Sequence, residues 1–297
     1  MISKYGKHPS LVVEKKGISD EVDKLANDVI EQIWNDSLSK QRMFSPRTKL
    51  YYVDGSFKLD GFDGELSVNY VLYFFDTIES YNSNIDLMHD SSSFDDETKT
   101  MRVSTGLIDG ELTYAIYEEV YHELLHYFEY SKGMTKNVDL YNKVSDFITK
   151  SVKPENDILL NVAKLVYYSF PHEQDAFAHQ FYGFLKKMRP TDEFQVLLYN
   201  ASMFRALDYS YMVFKHGLAD NRKNIITLLL HFGMNLESFK KRIHFGRKRL
   251  EKKLKQVYNR YKEEAKERTL PESLYKQYSL FNFDSGIKMK EEILLPW

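Results

Sequence analysis

The hydrophobic period of the chain changes near residue 109, and this change constrains the fold more than any other feature. Three segments before this point are rich in β-branched and aromatic residues and are bounded by Gly or Asp, which predicts strands: 47–55, 65–76 and 100–105. A helix over 19–36, with Ser19 as its N-cap, is predicted ahead of them. An N-terminal helix, a small mixed sheet and then mostly helices indicate an α+β fold.

The second half of the chain repeats apolar residues every three or four positions, which predicts helices. The first of them, within 109–133, has a core stripe and a stop signal at Gly133. The stripe consists of Leu112, Ile116, Val120, Leu124 and Phe128. Later helices are predicted over 155–169, 171–188, 192–216, 222–232 and 236–268. We expect a domain over 1–232, followed by a long basic helix and tail over 233–297 that belong either to the same domain or to a separate arm.

Composition limits the classes of protein to which the chain can belong. It has 297 residues, a net charge of -2 and no cysteine, so disulfides and thiolate metal sites are excluded. No segment approaches the roughly 20 apolar residues of a membrane span, and the N-terminus lacks the apolar core of a signal peptide. These features predict a soluble, cytoplasmic protein without a membrane partner.

The predicted helix before Gly133 contains the segment His122-Glu123-Leu124-Leu125-His126. Residues four apart share a helix face, so His122 and His126 can offer two imidazole nitrogens to one ion, and neutral imidazole suits Zn²⁺. Glu123 lies beside that face and can reach a water molecule on the metal. This H-E-x-x-H pattern is typical of zinc peptidases in which the glutamate is the general base.

A catalytic zinc site needs a third protein ligand. The extended pattern H-E-x-x-H-x-x-G-x-x-H is absent, because Glu129 and Lys132 stand at the positions of its Gly and last His. We therefore expect the ligand from the helix near 169–185, with Glu173 as the first choice and Asp175 as the alternative.

Other polar residues near these positions have open roles. His172 is either a ligand or a cap of its helix, and His179 with Asp175 is a candidate outer pair around the metal. Glu119 and Glu129 flank the histidines on one helix face. They either accept hydrogen bonds from the imidazoles or form an ordinary polar surface.

The segment 122–126, together with Glu173-Gln174-Asp175-Ala176-Phe177-Ala178, resembles the gluzincin type of zincin metallopeptidase. It is similar to small zincins of phage and mobile-element genomes and, more loosely, to the ImmA/IrrE group. The resemblance covers about 100–185. It implies a zincin-like fold, His122, His126 and Glu173 as zinc ligands, and Glu123 as the base. It also implies that the strand over 100–105 is an edge strand that pairs with an extended substrate.

The segment 239–268 is strongly basic, with 13 Lys or Arg against 4 Glu, a local charge of +9. Its apolar residues form one seam of a helix: Ile243, Leu250, Leu254, Val257 and Tyr261. The basic face would suit nucleic acid or self-association. The alternative is a solvated helix whose apolar stripe packs on the body.

These patterns lead to one expected function and one alternative. The expected function is a zinc-dependent metallopeptidase in which zinc-bound water attacks the peptide carbonyl and Glu123 accepts its proton. The alternative is a non-catalytic structural, nucleic-acid-binding or subunit-binding protein on a zincin scaffold, such as a phage virion component. The partner would be a protein or peptide substrate in the first case, and the location would be the host cytoplasm or the virion if the chain is phage-encoded.

Overall fold

The computed structural model describes residues 19–46, 49–75, 92–108, 114–133, 139–150, 157–186 and 193–267. Strands in chain order are β1 (Met43–Ser45), β2 (Leu50–Asp60), β3 (Glu65–Phe75), β4 (Ser93–Asp95) and β5 (Thr100–Ile108). Helices in chain order are α1 (Asp20–Leu38), α2 (Tyr114–Ser131), α3 (Asp139–Lys150), α4 (Ile158–Tyr167), α5 (Pro171–Leu185), α6 (Phe194–Asn200), α7 (Ser202–His231) and α8 (Leu236–Glu267). This order confirms the α+β class.

The strands form one mixed sheet in the order β1-β2-β3-β5-β4. β2 and β3 make an antiparallel hairpin, whereas β3 and β5 run parallel from the pair Ser67–Thr100 to the pair Phe75–Ile108. One face of the sheet is apolar because alternate side chains of β3 point the same way and are buried. That face packs into the same core as α1 and α2.

Local signals explain where the two N-terminal helices of the structure begin and end. The Ser19 hydroxyl accepts a hydrogen bond from the Val22 backbone N–H, which caps α1 as predicted. Gly133 follows α2 with a φ of 68°, a conformation that favours glycine at the end of a helix. Along α2, the predicted stripe residues Ile116, Val120, Leu124 and Phe128 are all buried, while Leu112 lies outside the described residues.

The buried apolar side chains form two main clusters. The larger cluster joins α1, the sheet, α2, α5 and the C-terminal half of α8. The smaller cluster joins α3, α4, α7 and the N-terminal part of α8. α2 and α5 pack side by side, and α5 also contacts α8, so α5 lies at the centre of the helical layer.

Several element boundaries differ from the sequence predictions. The helix over 139–150 and the short strands β1 and β4 were not predicted. The two helices expected over 192–216 and 222–232 are instead α6 and one continuous α7. β5 is not an edge strand along its first three residues, because β4 pairs with Thr100, Met101 and Arg102.

α8 packs on the body through its apolar stripe and exposes its basic face. All five seam residues predicted from the sequence are buried. A row of cations lies on the opposite face: Lys241, Lys248, Arg249, Lys252 and Lys255. The predicted division of the chain at residues 232/233 stays a prediction. Within the described ranges, no helix has both the length and the apolar character needed to cross a membrane.

Candidate metal centre

Three side chains from α2 and α5 converge on one point between the two helices. His122 Nε2 and His126 Nε2 are 3.2 Å apart. Glu173 Oε2 lies 3.7 Å from the first nitrogen and 3.8 Å from the second. The candidate ligand atoms of this group all lie within 4.8 Å of one another, so the group could hold a metal ion. The structure thus brings together His122, His126 and Glu173, the three ligands predicted from the sequence.

The donor set fits a metal ion in both chemistry and spacing. Two imidazole nitrogens and one carboxylate oxygen are a known ligand set of catalytic zinc. The three distances define a triangle whose circumscribed radius is about 2.1 Å, which matches the Zn–N and Zn–O distances of roughly 2.0–2.2 Å. Three electron-pair donors this close together repel one another in a buried place unless a cation or proton lies between them.

Exposure differs among the three side chains. The Glu173 side chain is 0% exposed and that of His126 is 5% exposed, whereas His122 keeps 13%. Of the three side chains, that of His122 is therefore the most exposed and that of Glu173 is fully buried. A structural metal site is usually closed by four protein ligands, whereas a catalytic one keeps a position for water or substrate.

A glycine allows the two helices to approach closely. A Cβ atom built at Gly183 of α5 would lie 2.6 Å from the backbone oxygen of Tyr117 and 2.8 Å from Cδ2 of Tyr121, both on α2. Real Cβ atoms essentially never come so close to such atoms. The lack of a side chain at Gly183 therefore permits the spacing that brings Glu173 within reach of the histidines.

Gln180 orients the first histidine. His122 Nδ1 lies 3.2 Å from Gln180 Oε1. Because an amide oxygen only accepts hydrogen bonds, Nδ1 carries the proton and Nε2 keeps its lone pair, directed at the cluster. This second contact is the usual way in which proteins fix a ligating imidazole. Gln180 lies seven positions after Glu173 and so shares its helix face, but its role was not predicted from the sequence.

Two tyrosines from outside the predicted site surround Glu173. The Tyr141 hydroxyl donates to Glu173 Oε1 at 3.0 Å. Burial, followed by the negative charge of Glu173, raises the pKa of Tyr141 well above its usual value. Burial likewise raises the pKa of Tyr167, which also hydrogen-bonds Glu173. Both hydroxyls therefore stay protonated as donors that hold the carboxylate in place.

Tyr141 lies on α3, which was not predicted from the sequence. A signal was available, because Leu140, Val144, Phe147 and Ile148 repeat at helical spacing behind an acidic first residue, Asp139.

Glu123 lies between the two histidines in sequence and close to the same cluster. Glu123 is only 6% exposed. Its negative charge is one of the causes that raise the pKa of Tyr141, which places it within electrostatic reach of the Tyr141–Glu173 pair. A buried carboxylate next to, but not among, the candidate ligands is the arrangement required of a general base.

The rival candidates for the third ligand lie elsewhere. The Asp175 carboxylate forms an ion pair with Lys253 of α8 and does not join the cluster. His179 donates from Nδ1 to the Asp175 backbone oxygen, and its Nε2 accepts from the Ser19 N–H. Burial lowers the pKa of His179 to about 4, so it is neutral and serves as a structural link to α1.

His172 and the flanking glutamates surround the centre without joining the ligand set. His172 Nε2 lies 3.5 Å from Glu173 Oε1, and its ring packs on Tyr141 at a centroid distance of 4.6 Å. Glu129 Oε2 lies 3.7 Å from His126 Nδ1, beyond a direct hydrogen bond. Burial raises the pKa of Glu119, whereas a hydrogen bond from Ser92 lowers it. The partner that the structure describes for the Glu119 carboxylate is therefore a serine hydroxyl and not an imidazole.

The chain was also compared with known proteins. No protein-family model matches it, and neither a curated protein nor a solved structure does so.

Proposed function

We propose that the chain is a zincin-like, zinc-dependent metallopeptidase. The observation that carries this proposal is the convergence of His122, His126 and Glu173, with the buried Glu123 next to His122 on the same helix. Zinc is favoured over Mg²⁺ or Ca²⁺ because two of the three donors are imidazole nitrogens, whereas those ions prefer oxygen ligands. Among the described residues the cluster has three candidate ligands, which favours a catalytic over a purely structural metal because structural sites usually have four.

The chemistry would be divided between the ion and the protein. A zinc ion held by the three ligands would polarise the peptide carbonyl and acidify a water molecule. Glu123 would take a proton from the attacking water and deliver it to the leaving amine nitrogen. Gln180 keeps the His122 lone pair directed at the centre, while Tyr141 holds Glu173 in its orientation.

The sheet offers one way to bind a peptide. β4 pairs with the first three residues of β5, and the Ser92 hydroxyl then bonds both the backbone N–H and the backbone oxygen of Ser104. Strand addition by an extended substrate would therefore have to take place beyond Ser104. β5 leads through residues 109–113 into α2, which carries the histidines and Glu123. This restriction narrows the edge-strand expectation drawn from the sequence.

Metal content measured by mass spectrometry is the direct test. We expect about one zinc per chain in the wild type and in Glu123→Gln, and a loss of zinc in His126→Ala. His216→Ala, which removes an exposed imidazole from α7, is the matched control and should keep its zinc.

Peptide hydrolysis should then separate ligand from base. The zinc-loaded Glu123→Gln variant should lose activity on a mixed peptide library by a factor of roughly 10² or more. A wild-type protein that binds no zinc even after its addition would refute the peptidase proposal. Retained hydrolysis in Glu123→Gln would refute the role given to Glu123.

A second candidate function, binding of a nucleic acid, is favoured by the exposed face of α8. Among the described residues, none forms an ion pair with Lys248, Arg249 or Lys252, whereas Lys241 and Lys255 pair only within their own helix. A row of cations of this kind suits a polyanion.

A fluorescence anisotropy titration with labelled single-stranded and duplex DNA tests this candidate. Binding that weakens steeply with salt and is reduced in Lys248→Gln/Lys252→Gln would support it. Equal, salt-insensitive signals from the wild type and the double variant would reject it.

A further inference from the structure

Glu119 lies on the same face of α2 as the residues of the metal centre, one turn nearer to the start of the helix. It precedes His122 by three positions and Glu123 by four, so the three side chains share one side of the helix. Because each residue of an α-helix rises by 1.5 Å, the backbone of Glu119 is only about 6 Å along the axis from that of the proposed base. Glu119 is therefore close to the place where a peptide would be cleaved.

Glu119 is also linked to the sheet, at the point where strand addition to β5 would begin. The Ser92 hydroxyl forms a hydrogen bond with the Glu119 carboxylate and accepts another from the Ser104 N–H at 3.1 Å. The part of β5 available to a substrate starts just beyond Ser104, and α2 packs against this strand. A peptide that pairs with β5 there and reaches the metal centre would therefore pass Glu119.

The charge of Glu119 is not balanced by a cation from the described part of the chain. Glu119 is half-buried, and the Ser92 hydroxyl is its described hydrogen-bond partner. Burial raises the pKa of Glu119, and no positive charge contributes to this pKa. A carboxylate that is partly withdrawn from water is costly when no cation lies close to it. A cation supplied by a bound molecule would remove part of this cost.

Two acids elsewhere in the helical layer do have cationic partners. Asp175 pairs with Lys253, and Asp23 pairs with Lys186. Each of these pairs joins two helices, so the charges serve the fold. Glu119 differs from both acids in its position beside the proposed site and in its lack of a described cation. This difference indicates that its cation comes from outside the chain.

We propose that Glu119 selects peptide substrates that carry a lysine or arginine next to the scissile bond. Side chains of an added strand point alternately to the two faces of the sheet, so every second one is directed towards the α2 side. The ammonium or guanidinium group of such a side chain would form an ion pair with the Glu119 carboxylate. Glu119 would bind the substrate and take no part in the chemical step. This inference rests on the proposed peptidase function and names the substrate class of its site.

Hydrolysis of matched peptides by the zinc-loaded full chain tests the proposal. The peptides are acetylated and amidated at their ends, and each position in turn holds either lysine or norleucine, which has an unbranched side chain without the charge. We expect kcat/KM to be about 10–100-fold higher with lysine at one position beside the cleaved bond, since hydrogen bonds between charged groups are among the stronger ones. Equal kcat/KM values for the lysine and norleucine peptides would overturn the proposal.

Substitutions at Glu119 test whether its charge causes the preference. Glu119→Gln keeps an acceptor for Ser92 but removes the charge, so the lysine-to-norleucine ratio of kcat/KM should fall to near one. A residue with a purely structural role would instead change the rates on both peptides alike. Glu31→Gln makes the same change at an exposed position of α1 and should keep the wild-type ratio. A wild-type ratio in Glu119→Gln would overturn the proposal.

Reversal of the charge gives a result that loss of function cannot imitate. Glu119→Lys should prefer peptides with glutamate over those with lysine at the same position. Circular dichroism and zinc content verify that the variant is folded and loaded. A folded, zinc-loaded Glu119→Lys that still prefers lysine would contradict the assignment.

Zinc content and the norleucine peptides separate this proposal from the function on which it rests. If the chain binds no zinc, or cleaves none of the peptides, the peptidase function and this inference both fall. If the zinc-loaded chain cleaves the lysine and norleucine peptides equally well, only this inference falls. Cleavage that requires a free N-terminal amine, measured with unacetylated peptides, and that ignores lysine would assign the cation to the peptide terminus and also overturn the proposal.

Discussion

Replacement of Gly183 by alanine tests whether the close approach of α2 and α5 builds the metal centre. The new Cβ would meet the backbone oxygen of Tyr117 at 2.6 Å. A backbone atom cannot rotate away, so the two helices must separate. Gly183 lies one helical turn beyond Gln180, and the movement therefore acts on the contact between Gln180 and His122.

The required movement follows from the contact distances. A tight contact begins at 3.0 Å and an ordinary one at 3.4 Å, so the helices must shift by about 0.4–0.8 Å. A shift of this size at Gln180 would lengthen its 3.2 Å hydrogen bond to His122 beyond the normal range. Overpacking of this kind costs roughly 1–3 kcal/mol, while alanine regains about 1 kcal/mol of helix propensity. The net loss of unfolding free energy should be about 0–2 kcal/mol.

Gly217→Ala is the matched control. Gly217 also lies inside a helix, but its new Cβ would meet the Cδ1 atom of Ile158, the flexible end of a side chain that can rotate away. This variant should therefore be as stable as the wild type or gain up to about 1 kcal/mol.

Urea denaturation of the metal-free proteins, followed by circular dichroism, gives both free energies. Competition with a chromophoric chelator gives the zinc affinity, which should fall by about tenfold in Gly183→Ala and stay constant in Gly217→Ala. If the two alanine variants are equally stable and bind zinc equally well, the helix spacing does not build the centre.

Three further changes test the partners of the ligands and the buried histidine. Gln180→Leu removes the acceptor for His122 Nδ1 and should lower the zinc affinity roughly 10–100-fold. Tyr141→Phe removes the donor to Glu173 and should lower the zinc affinity about tenfold. Chelator competition measures both affinities, and the helical content of both variants should stay unchanged. An unchanged affinity in either variant would remove that residue from the centre. His179 has a pKa of about 4 in the folded chain, below the 6.5 of an unfolded histidine. As the pH falls, the unfolded chain therefore binds a proton at this residue before the folded chain does. The free energy of unfolding should therefore fall by roughly 3 kcal/mol between pH 6.5 and 4. Denaturation curves of His179→Gln should show a smaller fall than those of the wild type. Equal falls would contradict the lowered pKa of His179.

The sequence predicted that His122, His126 and Glu173 would come together, because much of their placement depends on local rules. The spacing of His122 and His126 fixes their common face on any helix, and Pro171 marks the start of the helix that carries Glu173. That the two faces meet is a non-local fact. It depends on Gly183, whose role as a contact point is visible only when α2 and α5 are packed together.

The missed features have specific physical causes. Residues 217–221 were predicted to lie between two helices, yet α7 continues through them, and the Asn221 side chain donates to the Gly217 backbone oxygen. β4 has only three residues, and its formation depends on pairing with β5 and not on any propensity of its own. Tyr141 was missed together with its helix. No local sequence pattern predicts that α3 and α5 come together, because Tyr141 and Glu173 are 32 positions apart.

The position of Glu173 joins the two apolar clusters at the metal centre. Its helix, α5, contributes buried side chains to the larger cluster, whereas Tyr141 comes from α3, which belongs to the smaller one. A buried carboxylate in contact with both is costly unless donors or a cation balance its charge. Tyr141 and Tyr167 supply donors on one side, and the two imidazoles leave room for a cation on the other. An ion bound at this place would hold together parts of the chain that otherwise meet mainly through apolar contacts, and its binding free energy would add to the stability of both clusters.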